Sequence, residues 1–210
     1  MKLKNLLVAT TLLFGISTCY AQFGLPSIPG ISGGSSGSAA NANEVLKNAG
    51  IALSQYLSSE IKIAEAISGY KATQEQRDLI ARLSKGDVAK NKDDLNNSFT
   101  IGSDLNNIIK QKIESGAKID ASQKKLATEG TIEYLGALLS TKKLVDSIQS
   151  LAKNPTALGL DSVGPVTTLA SNMPKMLSQS ISSSSMIIKY MAANGIDTSK
   201  MQKDADSLGK

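Results

Sequence analysis

The chain has 210 residues, no histidine, no tryptophan, 4% aromatics and one cysteine, Cys19. Those counts exclude a Ser-His-Asp triad, a histidine zinc site and an internal disulfide framework. The formal charge of +5 falls to about +3 once Lys2 and Lys4 are set aside, which is too small and too dispersed for a nucleic-acid surface.

Residues 1–21 have the three parts of a secretory signal. Lys2 and Lys4 form the positive start, Leu6 to Ile16 the apolar run, and Cys19-Tyr20-Ala21 the small-residue cleavage site before Gln22. The apolar run of about eleven residues is shorter than the roughly twenty a membrane span needs. A second reading is a lipid anchor at Cys19, because Ile16-Ser17-Thr18-Cys19 loosely resembles a lipobox, with Thr18 fitting poorly. The expected location is periplasmic or secreted, with no span left after cleavage.

Residues 22–42 are rich in Gly, Ser and Pro and read as a flexible tether. A helical domain is expected over residues 43–208. Its first helix is predicted over Asn43–Ser68, where Val45, Leu46, Leu53, Leu57, Ile61 and Ile67 recur at mostly helical spacing before Gly69. Thr73 and Gln76 fit a capping box that opens a short helix ending before Gly86. The stretch from Asp87 to Glu114 turns periodic from Leu95 onward. Gly102 sits on or near its packing face, as either a break or a close approach.

Asp120 to Asn154 reads as the longest helix and the central stave. Leu126, Ile132, Leu135, Leu138, Leu139, Leu144, Val145, Ile148 and Leu151 form its apolar stripe. Lys124, Glu129, Glu133, Lys142 and Asp146 mark the other face. Asp120 with Gln123 suggests a second capping box, and Asn154-Pro155 ends the helix. Beyond a loop that tucks in Leu158 and Leu160, Pro165 suits the first turn of another helix. Pro174 should kink or divide that helix, and Asn194-Gly195 should stop it. Asp197 or Thr198 then caps a short final helix carrying Met201.

No stretch alternates as a strand does. The fold expected is all-α: an antiparallel bundle of four to five helices with coiled-coil-like spacing, whose core is mostly Leu, Ile, Ala and Met.

Motifs with chemical meaning are few. Two G-x-S-x-G matches, at Gly30 to Gly34 and Gly33 to Gly37, lie in the tether and not on a strand-to-helix elbow. Ser122-x-x-Lys125 and Ser140-x-x-Lys143 lack the companion motifs of serine acyl enzymes. Asp93, Asp94 and Asn96 hint at a calcium loop but lack its glycine and closing glutamate. Met173 and Met176, one helical turn apart, would suit a cuprous ion, although methionine more commonly fills irregular core space. Six of the eight residues from Ser178 to Ser185 are serine, which suits an exposed face, a close helix approach or a partner groove.

These observations point to an exported, non-enzymatic helical protein of the bacterial cell envelope, with no catalytic residue and no cofactor. It would work through a protein partner, and self-association fits the same pattern. The alternative is a carrier of a small ligand or soft metal built on the methionine-rich helices, with Met173 and Met176 as ligands.

Overall fold

The computed structural model describes residues 39–86 and 92–209; the expected signal segment and most of the expected tether lie outside them. Among the described residues there are six α-helices and no strand. They are α1 (Ala39–Ser68), α2 (Gln74–Ser84), α3 (Lys92–Glu114), α4 (Lys124–Lys153), α5 (Leu160–Ala193) and α6 (Ser199–Leu208). Helix α1 packs along α4 and also touches α2, α3 and α5. Helix α5 packs on α4 and α3, and α6 lies against α4 and α5. No helix among the described residues is long and apolar enough to cross a membrane.

Local chemistry sets most of the boundaries. At α2 the capping box forms: Gln76 N–H donates to Thr73 Oγ1 at 3.2 Å, and Thr73 N–H donates to Gln76 Oε1 at 2.9 Å. Helix α5 ends where Gly195 takes φ +74°, a left-handed conformation in which a side chain is strained. The N–H groups of Gly195 and Ile196 then donate back to Ala192 and Met191 carbonyls at 2.9 and 3.1 Å, closing the last turn. Asp197 caps α6 by accepting from the Ser199 N–H at 2.9 Å and its hydroxyl at 2.7 Å. Those bonds hold the Asp197 carboxyl below its usual range.

Several expectations need correction. The described residues hold six α-helices where four to five were expected, because the short segments α2 and α6 each form a helix of their own beside the four long ones. Helix α1 starts four residues before Asn43, and Ala42 is buried against the core. The Asp120–Gln123 capping box does not form, because residues 121–123 make a 3-10 turn and Asp120 makes no side-chain capping bond. The α-helix proper begins at Lys124. Helix α5 begins a turn earlier than Pro165, and Pro165 is buried within it. Here packing of Ser162, Pro165 and Val166 outweighs the weak local propensity of a stretch that holds Gly164 and Pro165. Helix α5 is not divided at Pro174, although the Ala170 carbonyl loses its usual N–H donor there. Leu158 packs against the core as expected, whereas Leu160 is 94% exposed. Asp93, Asp94 and Asn96 lie in the α3 helix and not in a loop. Asp94 accepts a two-pronged ion pair from Arg82 at 2.7 and 2.9 Å, which ties α2 to α3.

The core follows composition. Leu46, Leu53, Leu57, Leu95, Leu105, Leu135 and Leu138 are all buried to within 2%. Each such leucine stabilises the fold by about 1.5–3 kcal/mol. The expected stripe of α4 is inward at Leu135, Leu138, Leu144, Ile148 and Leu151. Gly130 lets α4 press on α1, since a Cβ there would meet Lys62 Cβ at 2.9 Å and the Ile63 backbone N at 3.1 Å. One turn on, Lys62 Nζ clasps both oxygens of Glu133 at 2.7 and 2.8 Å. Lys142 is not part of a free charged face: it is half-buried and donates to the Leu208 carbonyl at 2.8 Å, pinning the end of α6 to α4.

Candidate functional site

Helix α1 buries an ionisable group on its apolar seam. Leu46, Leu53, Glu60 and Ile67 follow one another at intervals of seven, and all four are buried. Glu60 has no exposed surface. Tyr56 lies one turn before it on the same helix, so its hydroxyl donates to Glu60 Oε1 at 2.7 Å. Asn106 on α3 donates to the same oxygen at 3.4 Å. Glu60 Oε2 is buried with no hydrogen-bond partner. Burial pushes the Glu60 carboxyl up to about 8, against the opposing pull of the bonds from Tyr56 and Asn106. Glu60 is therefore neutral at pH 7, with Oε2 left to carry the proton.

The serine-rich turn of α5 completes the network. Ser180 Oγ lies 2.9 Å from the Tyr56 hydroxyl. Ser183 donates to Asn106 Oδ1 at 3.0 Å. Tyr134 on α4 donates to the Ser180 carbonyl at 3.1 Å, and its ring lies 5.7 Å from that of Tyr56. Burial, followed by the neighbouring Glu60 charge, raises both tyrosine hydroxyls above their usual value. Four helices thus meet at one polar knot.

Gly102 makes this meeting possible. A Cβ at that position would stand 2.9 Å from Tyr56 Cε1 and 3.5 Å from Glu60 Oε2. Of the two sequence readings of Gly102, the close approach is the one observed, and α3 runs through it unbroken.

On the outer side of Gly102 a groove of about 520 Å³ opens between α3 and α5. Its α3 wall includes Phe99, Ser103, Asn107 and Lys110, and its α5 wall includes Asn172, Lys175, Met176, Gln179 and Ser182. Tyr56 and Gly102 form the floor. Most lining side chains end in a hydroxyl or an amide, two are lysines and none is a carboxylate. Such a surface offers hydrogen-bond donors, acceptors and two ammonium groups to an occupant, while Glu60, Tyr56 and Ser180 are sealed to within 2%.

The sequence-singled residues are distributed unevenly about this site. Met176 lines the groove and is 8% exposed, whereas Met173 has no exposed surface. Met191 and Met201 are buried in the core. Ser122 and Lys125 are exposed, as is Lys143, while Ser140 is half-exposed. Glu129 and Glu133 are partnered by Lys125 at 3.9 Å and Lys62 at 2.7 Å. Among the described residues no three His, Cys, Asp or Glu side chains group as metal ligands. Cys19 lies outside the described residues. The serine run does face a groove and a close helix contact, both foreshadowed by its composition. Glu60, Tyr56, Asn106 and Tyr134 were not singled out from sequence, though a glutamate on a seven-residue apolar seam was a legible sign.

No protein-family model matches the chain, and neither a curated protein nor a solved structure does.

Proposed function

We propose that the chain is an exported, non-enzymatic binding protein of the bacterial cell envelope, whose working surface is the groove between α3 and α5. The groove recognises a partner protein. Its framework is an antiparallel helical bundle, preceded in the chain by a Gly/Ser-rich segment once the signal segment has been removed. The observation that carries this reading is the serine run. Ser178 and Ser182 are exposed beside the groove while Ser180 and Ser183, further round the helix, tie α5 to α1 and α3, so the serine run both anchors α5 and presents it. The absence of histidine from the whole chain favours binding over turnover.

Site-specific photocrosslinking in cells tests the reading. A photoreactive residue at Ser182 should give a discrete protein adduct in the envelope fraction. The same residue at Asp146, exposed on α4, should not. Equal adducts from both positions, or none from Ser182, would remove the groove as the partner surface.

A second reading has one observation in its favour. About 520 Å³ lies within the roughly 300–1,000 Å³ range of small-ligand sites, and Met176 and Phe99 supply apolar surface there. Native mass spectrometry of the protein purified from the envelope would show a bound small molecule, and Met176→Lys should abolish it. For Met173, complete burial favours a packing role over metal ligation.

A further inference from the structure

The groove between α3 and α5 carries charge of one sign. Lys110 stands on the α3 wall and Lys175 on the α5 wall, and no carboxylate lines the space between. Both lysines are exposed. Lys110 has only a 3.9 Å contact with Glu114, itself exposed. Lys175, Asn107 and Gln179 use no side-chain hydrogen bond or ion pair within the described residues. Glu60 lies behind Gly102 without exposed surface, so it presents no carboxylate to an occupant of the groove.

Amide side chains carry one acceptor and two donors in a plane, which complements a peptide main chain. Asn107, Asn172 and Gln179 supply such groups from both walls. A saccharide site would be expected to offer an open ring face for stacking. Here Tyr56 is 2% exposed and Phe99 is half-buried. Two lysines in a concave, amide-lined slot are also too few to hold a nucleic-acid backbone.

We propose that this groove binds an acidic peptide segment of the partner protein. Lys110 and Lys175 each take a carboxylate from opposite walls, and Asn107, Asn172 and Gln179 pair with the main chain between them. The proposal rests on the groove being the partner surface. Hydrogen bonds to charged groups are roughly twice as strong as neutral ones, so the lysines set the preference and the amides set the register.

Fluorescence anisotropy on the protein purified from the envelope tests it. The probes are labelled Gly-Glu and Gly-Gln repeat peptides of equal length, with labelled oligogalacturonate as the acidic saccharide. The Gly-Glu peptide should bind at least about tenfold more tightly at low salt and lose that advantage as salt screens it. Lys110→Glu with Lys175→Glu should weaken it by about tenfold or more, because attraction becomes repulsion. Lys143→Glu with Lys153→Glu, exposed on α4, should leave it within about twofold. Equal loss from both pairs, or tighter binding of oligogalacturonate, overturns the proposal. A Ser182 adduct together with equal affinity for the two peptides overturns the charge preference and leaves the groove as partner surface. No adduct and no peptide binding removes both.

Discussion

Replacing Glu60 by Gln should make the protein more stable, and increasingly so as pH rises. Oε1 of glutamine still accepts from Tyr56 and Asn106, at the positions where the parent bonds are 2.7 and 3.4 Å. Its amide nitrogen takes the place of Oε2, which has no partner to lose. The substitution therefore removes an ionisation and little else. In the folded chain the Glu60 carboxyl is raised from its ordinary 4.5 to about 8. Below about pH 4.5 the folded and unfolded states both hold the proton, and Glu60 adds no pH dependence. Between 4.5 and about 8 the unfolded state releases the proton while the folded state keeps it, so stability falls as pH rises. Each pH unit in that window removes about 1.4 kcal/mol. The whole window removes on the order of 5 kcal/mol, a large part of the roughly 5–15 kcal/mol that holds a domain together. Above about 8 the loss is complete and levels off. Urea melts of both proteins from pH 4.5 to 9 isolate the effect, because the two groups that the Glu60 charge perturbs, Tyr56 and Tyr134, are raised and ionise above that range. Their difference should be near zero at the acid end and reach several kcal/mol by pH 9. A difference that does not vary with pH would show that Glu60 ionises normally and that burial does not hold its proton.

Other substitutions test the packing. Leu135, without exposed surface on α4, should lose about 2–5 kcal/mol on change to alanine, readable from urea midpoints. Lys142→Ala should lose about 0.5–1.5 kcal/mol through its bond to the Leu208 carbonyl, with hydrogen exchange quickening in α6; an unchanged α6 would show that the contact contributes nothing. Gly130→Ala gains about 1 kcal/mol of helix propensity but forces a methyl against Lys62 and the Ile63 backbone, so its thermal midpoint should fall; a rise would mean that α1 and α4 separate at little cost. Mass spectrometry of the envelope fraction should give Gln22 as the first residue, whereas a lipid-modified Cys19 would replace the periplasmic or secreted reading with a lipid-anchored one.

Periodicity and punctuation were enough to find the helices. Thr73 with Gln76, Gly69 and Asn194-Gly195 act through bonds within a few residues of themselves, so their effects are written locally. The buried stripe of α4 was legible for the same reason, since steps of three and four place Leu135 and Leu138 on one face whatever lies opposite. Local rules failed where packing competed with them. The Asp120 cap gave way to a 3-10 turn, and Pro165 was drawn into the helix because its neighbours bury against the core.

The site belongs to the other category. Tyr56 and Ser180 are separated by 124 residues and Asn106 and Glu60 by 46, and nothing in the local pattern names those pairs. The sequence by itself determined a helical chain without histidine, with a serine run on one helix and a glutamate on an apolar seam. Tyr56 and Glu60, one turn apart on α1, meet by helical spacing alone; only the tertiary structure decided that Asn106 reaches the same carboxyl and that Ser180 joins the knot through the Tyr56 hydroxyl. Gly102 brings α3 close enough for this to happen, and the outward remainder of the serine face opens as a groove. The reason is physical: a helical period states which side chains share a face, whereas the depth at which two faces meet depends on the volumes of both, and here the absence of one Cβ set that depth.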